Sequence, residues 1–321
     1  MTLRRIITTL ASLALICLLI GACRKTEKPP LTEITIGTFS EAIDYSPYYV
    51  ARYFKWFEGA PELKGVTVNY KEFTDRAAIS TALTRNELAG IFAAEAPLII
   101  TRAQGEDIRI PVISCTLQQE VVVRTALPVG SVADLRQKRV AVLQGTSSHY
   151  GLLRILASAG LAPNDVDLRF MGPPQARAAF ESGNIDAWAV WPPFVEQEQL
   201  SGRGKILRGG DAVIQSVMAE PKSLIDDHHA QAVALVRVVN QAKKWIQENP
   251  EEAQAIVAKQ LNLELPVVKA AWGKHNWGAQ LNDAVTLDMQ HKAEFLAGQN
   301  ATRSGTPLNV AKDLVTKFEV Q

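Results

Sequence analysis

Four consecutive apolar residues, Val140-Ala-Val-Leu143, run directly into Gln-Gly-Thr-Ser-Ser148, and this short stretch constrains the fold more than any other. A continuous apolar run is what a parallel strand covered on both faces requires, whereas a half-exposed strand would alternate. After a polar turn the spacing predicts a helix to Gly160, with Ser147 or Ser148 as its cap and Gly160 as its stop. Gly145 lets the backbone come close to whatever lies at the strand's carboxyl end. The free N–H groups of that helix start, with the positive end of its dipole, suit a small anion or a carbonyl oxygen. The same pattern then recurs: a helix over Gln175–Glu181 ended by Gly183, and a strand over Ile185–Val190 finishing at Trp191. Pro192 and Pro193 take the chain out of the sheet. A crossover helix between parallel strands puts both strand ends on one side, where open α/β sheets bind ligands.

Upstream, Ile34–Phe39 alternates as a strand and enters the loop Ser40-Glu-Ala-Ile-Asp44-Tyr45, after which Ser46-Pro47 opens a helix over Tyr48–Phe54. Phe39, Ser40, Asp44 and Tyr45 therefore lie at a strand's carboxyl end as candidate ligand contacts; a plain surface loop with Tyr45 packed on the helix is the competing reading. Strand Val66–Phe73, helix Asp75–Asn86 and strand Leu88–Ala94 lead to Glu95-Ala96-Pro97, the start of a helix over Leu98–Gln104. Pro97 at the first turn leaves the N–H groups of Ala96 and Leu98 as a second set of helix-start donors. Glu95 either accepts from an amine or hydroxyl on a ligand or simply favours its own helix dipole. Strands Arg109–Ser114 and Glu120–Thr125 flank Gln118-Gln119, the expected crossing to a second lobe, and the return is expected near Gly209-Gly210-Asp211. From Asp226 onward the chain reads as almost wholly helical, with Trp245, Trp272 and Trp277 as core residues.

The amino terminus is a targeting segment. Arg4 and Arg5 precede an apolar run, Ile6–Ile20, too short to span a bilayer, and Leu19-Ile-Gly-Ala-Cys23 follows. This resembles a bacterial lipoprotein signal, with residues 1–22 removed, Cys23 lipidated, and 23–32 a polar, proline-containing tether. A plain secretory peptide or an anchor helix is the alternative. Without Arg4 and Arg5 the 34 basic residues fall to 32 against 33 acidic, a balance that gives no reason to expect nucleic acid or an acidic partner. Of the three cysteines, Cys17 leaves with the signal and Cys23 takes lipid, so Cys115 has no disulfide partner and reads as buried filler.

Three motifs in order, Gly145-Thr-Ser-Ser-His-Tyr150, Pro173-Pro-Gln-Ala-Arg-Ala-Ala-Phe-Glu-Ser-Gly183 and Asp186-Ala-Trp-Ala-Val-Trp-Pro-Pro-Phe194, resemble the aliphatic-sulfonate, taurine and nitrate group of periplasmic solute-binding proteins. The chain departs from that pattern at Pro192, where the family usually has an acid, and at Ala94, where it usually has glycine. The resemblance implies an α/β, two-lobed periplasmic-binding-protein fold of type II, each lobe a mainly parallel sheet flanked by helices. Lobe one would comprise 33–118 and 213–321, and lobe two 119–212. It implies a monomer without cofactor, tethered by its lipid on the periplasmic or outer face of a bacterial membrane. Its partners would be a small-molecule anion, an ABC permease and that permease's ATPase subunit.

The residues themselves point to binding rather than catalysis. There is no Gly-x-Ser-x-Gly elbow, Walker loop, Gly-x-Gly-x-x-Gly or Cys-x-x-Cys, and His228-His229 is adjacent rather than spaced for a metal. Gly145, Thr146, Ser147, Ser148 and His149 gather donors at one helix start, opposite Glu95 and Ala96 at another. Trp191, or else Trp188, could wall the ligand's carbon part; for each, packing beneath the cleft is the other reading, since alternate strand residues face opposite ways. Asp186 either hydrogen-bonds the nearby turn or meets ligand. An alkanesulfonate is the first expectation, with taurine or nitrate next. A neutral heterocycle such as the thiamine pyrimidine precursor, a pyrimidine-making enzyme on the same fold, and a scaffold lipoprotein are the alternatives.

Overall fold

The computed structural model describes residues 30–39, 42–73, 76–85, 87–299 and 307–318; the predicted signal, Cys23 and Ser40 lie outside the described residues. All elements below belong to the unit Glu33–Gln321. In chain order, β1 (Glu33–Phe39), α1 (Ser46–Tyr53), β2 (Thr67–Phe73), α2 (Arg76–Thr84), β3 (Gly90–Ala94), α3 (Glu95–Ala103) and β4 (Ile108–Gln118) come first. They are followed by β5 (Glu120–Arg124), β6 (Arg139–Val142), α4 (Ser147–Ser158), β7 (Asp167–Phe170), α5 (Pro173–Glu181), β8 (Ala187–Val190), α6 (Phe194–Leu200) and β9 (Gly204–Leu207). The chain continues through β10 (Val213–Pro221), α7 (Lys222–Asp227), α8 (His229–Glu248), α9 (Pro250–Gln260), α10 (Leu265–Trp272), β11 (His275–Asn276), α11 (Asp283–Gly298) and α12 (Val310–Asp313).

These strands form two mixed sheets flanked by helices, ordered β11-β4-β10-β3-β1-β2 and β7-β6-β8-β5-β9. The parallel character holds where strand–helix–strand units repeat, in β1 with β2 and β3, and in β6 with β7 and β8. The strands next to the passages between sheets pair antiparallel: β10 with β3 and β4, and β5 with β8 and β9. The chain changes sheet between Gln118 and Glu120 and again between Leu207 and Val213. The two passages lie side by side, with the Gln119 N–H donating to the Ala212 carbonyl at 2.9 Å. Gly151 of α4 packs against them so closely that a Cβ there would stand 2.6 Å from the Gln119 side chain.

Each sheet buries its own apolar core. In the first, Ile91, Ile99, Ile113, Val217 and Leu296 meet between strands and α3 and α11. In the second, Val121, Val140, Val142, Leu152 and Leu156 lie under one face, and Ala141, Phe180, Trp188 and Val195 under the other. β6 is thus covered on both sides, as its unbroken apolar run requires.

Three local differences from the sequence reading have physical causes. β7 is an edge strand whose side chains are half-buried or exposed, so it carries little apolar pattern. α6 looks polar, yet its Glu196 and Glu198 are buried because Lys274 and Arg203 pair with them. The part from Asp226 onward is less continuously helical than expected: α10 ends at Trp272, β11 follows, and α12 ends at Asp313. Beyond that point backbone bonds of 2.7 and 3.1 Å tie Leu314 and Thr316 to Ile110, and Val315 bridges Ile110 as an extended residue.

Candidate functional site

The carboxyl ends of β1, β3, β6 and β8 meet the amino ends of α3 and α4 around a small cavity of about 30 Å³. Phe39, Asp44, Tyr45, Ala94, Pro97 and Ile214 line it from the first sheet and its connections; Thr146, Ser147, Ser148 and Trp191 line it from the second. α4 starts there because Thr146 caps it: its Oγ1 accepts from the His149 N–H at 3.2 Å and its hydroxyl donates to the Leu143 carbonyl at 2.6 Å. The cap is therefore Thr146, not Ser147 or Ser148. Gly145 supplies the tight turn at φ +73°, a left-handed conformation that favours glycine.

With the cap supplied by Thr146, the two serine hydroxyls are left over. Ser147 Oγ, Ser148 Oγ and Trp191 Nε1 are buried and have no hydrogen-bond partner within the protein, and all three residues line the cavity. Buried polar atoms in native proteins are usually paired, so these three can donate to the acceptors of a small molecule in the cavity. The first-turn N–H groups of α4 add to it. Tyr45 contributes a neutral phenol, because burial, and then the neighbouring Asp44, push its pKa well above the usual value. Neither lysine nor arginine is among the described lining residues.

Of the candidate residues, Phe39, Asp44, Tyr45, Thr146, Ser147, Ser148 and Trp191 come together at the cavity. The other described candidates are placed elsewhere. Glu95 is fully buried in an ion pair with Lys292 and accepts from the Gln215 N–H at 3.1 Å; burial raises its pKa against the pull of Lys292. Ala96 is buried in the first core. Gly145 faces Ile100 across the gap between sheets. The His149 ring stands edge-on to Phe170 at 5.3 Å and Phe295 at 5.7 Å, and burial lowers its pKa, so it packs as a neutral ring.

Asp186 sits at the opposite, amino ends of β6 and β8, where its carboxylate accepts from the Arg139 side chain at 2.6 and 3.0 Å and from the Arg139 N–H at 2.9 Å. Trp188 points into the core beside Phe180 and Val195, while Trp191, three residues later and past the strand end, reaches the cavity. Ala94 and Ile214 were absent from the candidates. Apolar strand-end residues carry no chemical signature, and only the crossing of β10 brings Ile214 there. Among the described residues no group of three or more His, Cys, Asp or Glu could hold a metal, and no helix is long and apolar enough to cross a membrane.

Residues 27–262 match the model of the NMT1-like family. The chain belongs to that family. It is 34% identical over 143 residues to a protein of Escherichia coli K12 named as binding aliphatic sulfonates, covering 44% of this chain and 45% of the relative. A Bacillus subtilis 168 protein of the same name is 27% identical over 250 residues, covering 74% of this chain and 73% of the relative. The alkanesulfonate-binding protein of Xanthomonas axonopodis pv. citri, solved bound to MOPS, superposes with a TM-score of 0.75 at 21% identity, covering 90% of this chain and 100% of that one. The last comparison concerns the fold.

Proposed function

We propose that this protein is an extracytoplasmic solute-binding lipoprotein that holds a small organic anion between two lobes and delivers it to an ABC permease. An alkanesulfonate is the favoured ligand, followed by taurine and nitrate. One observation carries the reading: three buried donors, Ser147 Oγ, Ser148 Oγ and Trp191 Nε1, face one cavity with no protein partner. A sulfonate spreads one charge over three acceptors, enough to meet all of them. A hydrogen bond to a charged group contributes about 1.5–3 kcal/mol, so neutral donors and a helix start suffice to hold it without a cation. Phe39, Pro97, Ile214 and the Trp191 ring would enclose the carbon part.

Residues 33–118 with 213–321 would form one lobe and 119–212 the other, hinged at the paired passages around Gln119 and Ala212. Ligand touching both lobes stabilises the closed form alone. Lipid at Cys23 would keep the protein beside its permease, whose ATPase subunit supplies the energy. A neutral heterocycle would call on Glu95 as an acceptor and on tryptophans to stack against it. Lys292 occupies Glu95 and the core holds Trp188, which leaves that reading less to stand on.

The test is thermal unfolding against a panel of ethanesulfonate, longer alkanesulfonates, taurine, nitrate and aminopyrimidines, since a ligand at 100 times its Kd stabilises by about 2.7 kcal/mol. Stabilisation by sulfonates supports the proposal. Stabilisation by aminopyrimidines alone, or by nothing in the panel, overturns it. For the anchor, Cys23→Ser should move the protein from the membrane to the soluble fraction.

A further inference from the structure

Among the described residues lining the cavity, only Asp44 carries a formal charge, and a bare carboxylate there would repel the anion that the donors opposite invite. The structure supplies a counterweight in His275, a residue outside the cavity lining. Its Nδ1 lies 2.9 Å from the Ala271 carbonyl, which can only accept, so Nδ1 carries a hydrogen. Its Nε2 lies 3.0 Å from Asp44 Oδ1. A neutral ring protonated at Nδ1 would turn a lone pair toward a carboxylate, and two acceptors at that distance repel. One proton must therefore sit between them, on Nε2 or on Oδ1, and in either arrangement the pair has no net charge. The other oxygen, Oδ2, accepts from Ser216 Oγ at 3.0 Å. The His275 ring is buried and stacks on Trp277 at 4.8 Å and 5°, a surface that suits an imidazolium.

We propose that His275 is a specificity-determining residue that acts through Asp44. By neutralising the carboxylate and occupying one of its oxygens, while Ser216 occupies the other, it makes the cavity accept an alkanesulfonate and discriminate against its amino-substituted analogue. The proposal rests on the anion-binding reading above. An ammonium brought to this wall finds a carboxylate whose charge is already cancelled, so its lost hydration is not replaced.

Isothermal titration with ethanesulfonate and taurine, which differ by one amine, tests this. Wild-type protein should bind ethanesulfonate at least about tenfold more tightly than taurine. His275→Gln exposes the Asp44 charge, so ethanesulfonate should weaken by about tenfold or more and the preference should shift toward taurine. Adding Asp44→Asn to His275→Gln removes that charge and should recover most of the ethanesulfonate affinity, which a merely structural role for His275 would not produce. If wild-type protein binds neither sulfonate, the sulfonate reading on which this proposal rests falls, and the proposal with it. If wild-type protein binds both and prefers taurine, or the double variant binds ethanesulfonate no better than the single one, the role of His275 is wrong while anion binding stands. A wild-type preference for taurine would overturn the role of His275 even if the variants fail to fold.

Discussion

The two walls of the cavity are built to opposite rules. On the first-sheet wall and just behind it, polar groups find protein partners: Asp44 has Ser216 and His275, and Glu95 has Lys292 and the Gln215 N–H. On the second-sheet wall Ser147, Ser148 and Trp191 keep buried donors with no protein partner at all. Leaving a buried polar group unmade costs about 1–3 kcal/mol, so the second wall carries a penalty that an occupant would lift. A paired wall holds the fold; a wall of spare donors is free to meet an occupant. Substitutions on the two walls should therefore differ in kind as well as in size.

The largest effect is expected on the paired side. Lys292→Met leaves Glu95 buried beside Asp288 without the cation that holds both, and breaking such a pair costs about 3–5 kcal/mol of stability. Chemical denaturation should show a large drop in unfolding free energy; a loss below about 1 kcal/mol would mean that this wall is not held by its pairing. The next effect belongs to the other wall. Ser147→Ala with Ser148→Ala removes two unpaired hydroxyls, so sulfonate binding should weaken by about 1.5–3 kcal/mol per lost bond while unliganded stability stays the same or rises. Unchanged affinity in a titration would move the site away from α4.

How much of this contrast could be read from the chain depends on what local pattern encodes. The strand–turn–helix at Val140–Ser158 was legible because an unbroken apolar run, a turn glycine and a polar helix start sit within twenty residues, and all three have local causes. The gathering of Phe39, Asp44, Tyr45 and the α4 start was legible for the same reason: each lies at a strand end, in the turn after it or at a helix start. Partner choice was not. Glu95 and Lys292 are nearly two hundred positions apart, and nothing near either marks the other. Asp186 and Arg139 likewise find each other only because β6 and β8 are neighbours. Trp188 and Trp191 differ by three residues, and only the end of β8 after Val190 decides which meets the cavity. His275 went unnoticed because a lone histidine after a helix has no signature until Asp44 is placed beside it.

Two smaller effects sharpen the comparison at its edges. Trp191→Phe keeps a ring against the cavity and deletes the Nε1–H, so anion affinity should fall by about 1.5 kcal/mol, the lower end for one bond to a charged acceptor, with stability barely altered. A titration in which Trp191→Phe binds as tightly as wild type would remove Trp191 from the donor set.

Asp186 supplies the complementary control, a paired carboxylate in the second-sheet lobe but at the far strand ends. The hydrogen bonds from Arg139 hold its pKa below the usual carboxylate range. A depressed carboxyl contributes stability that is present above the unfolded-state pKa of about 3.9 and is lost as pH falls through the lower folded value. Asp186→Asn should therefore cost about 1 kcal/mol at pH 7, given that Arg139 is partly exposed, and the gap between the two proteins should close in acid. Sulfonate affinity should not change. An affinity loss in Asp186→Asn without a matching loss of stability would put this carboxylate back at the ligand and blur the division between a wall that holds the fold and a wall that holds the solute.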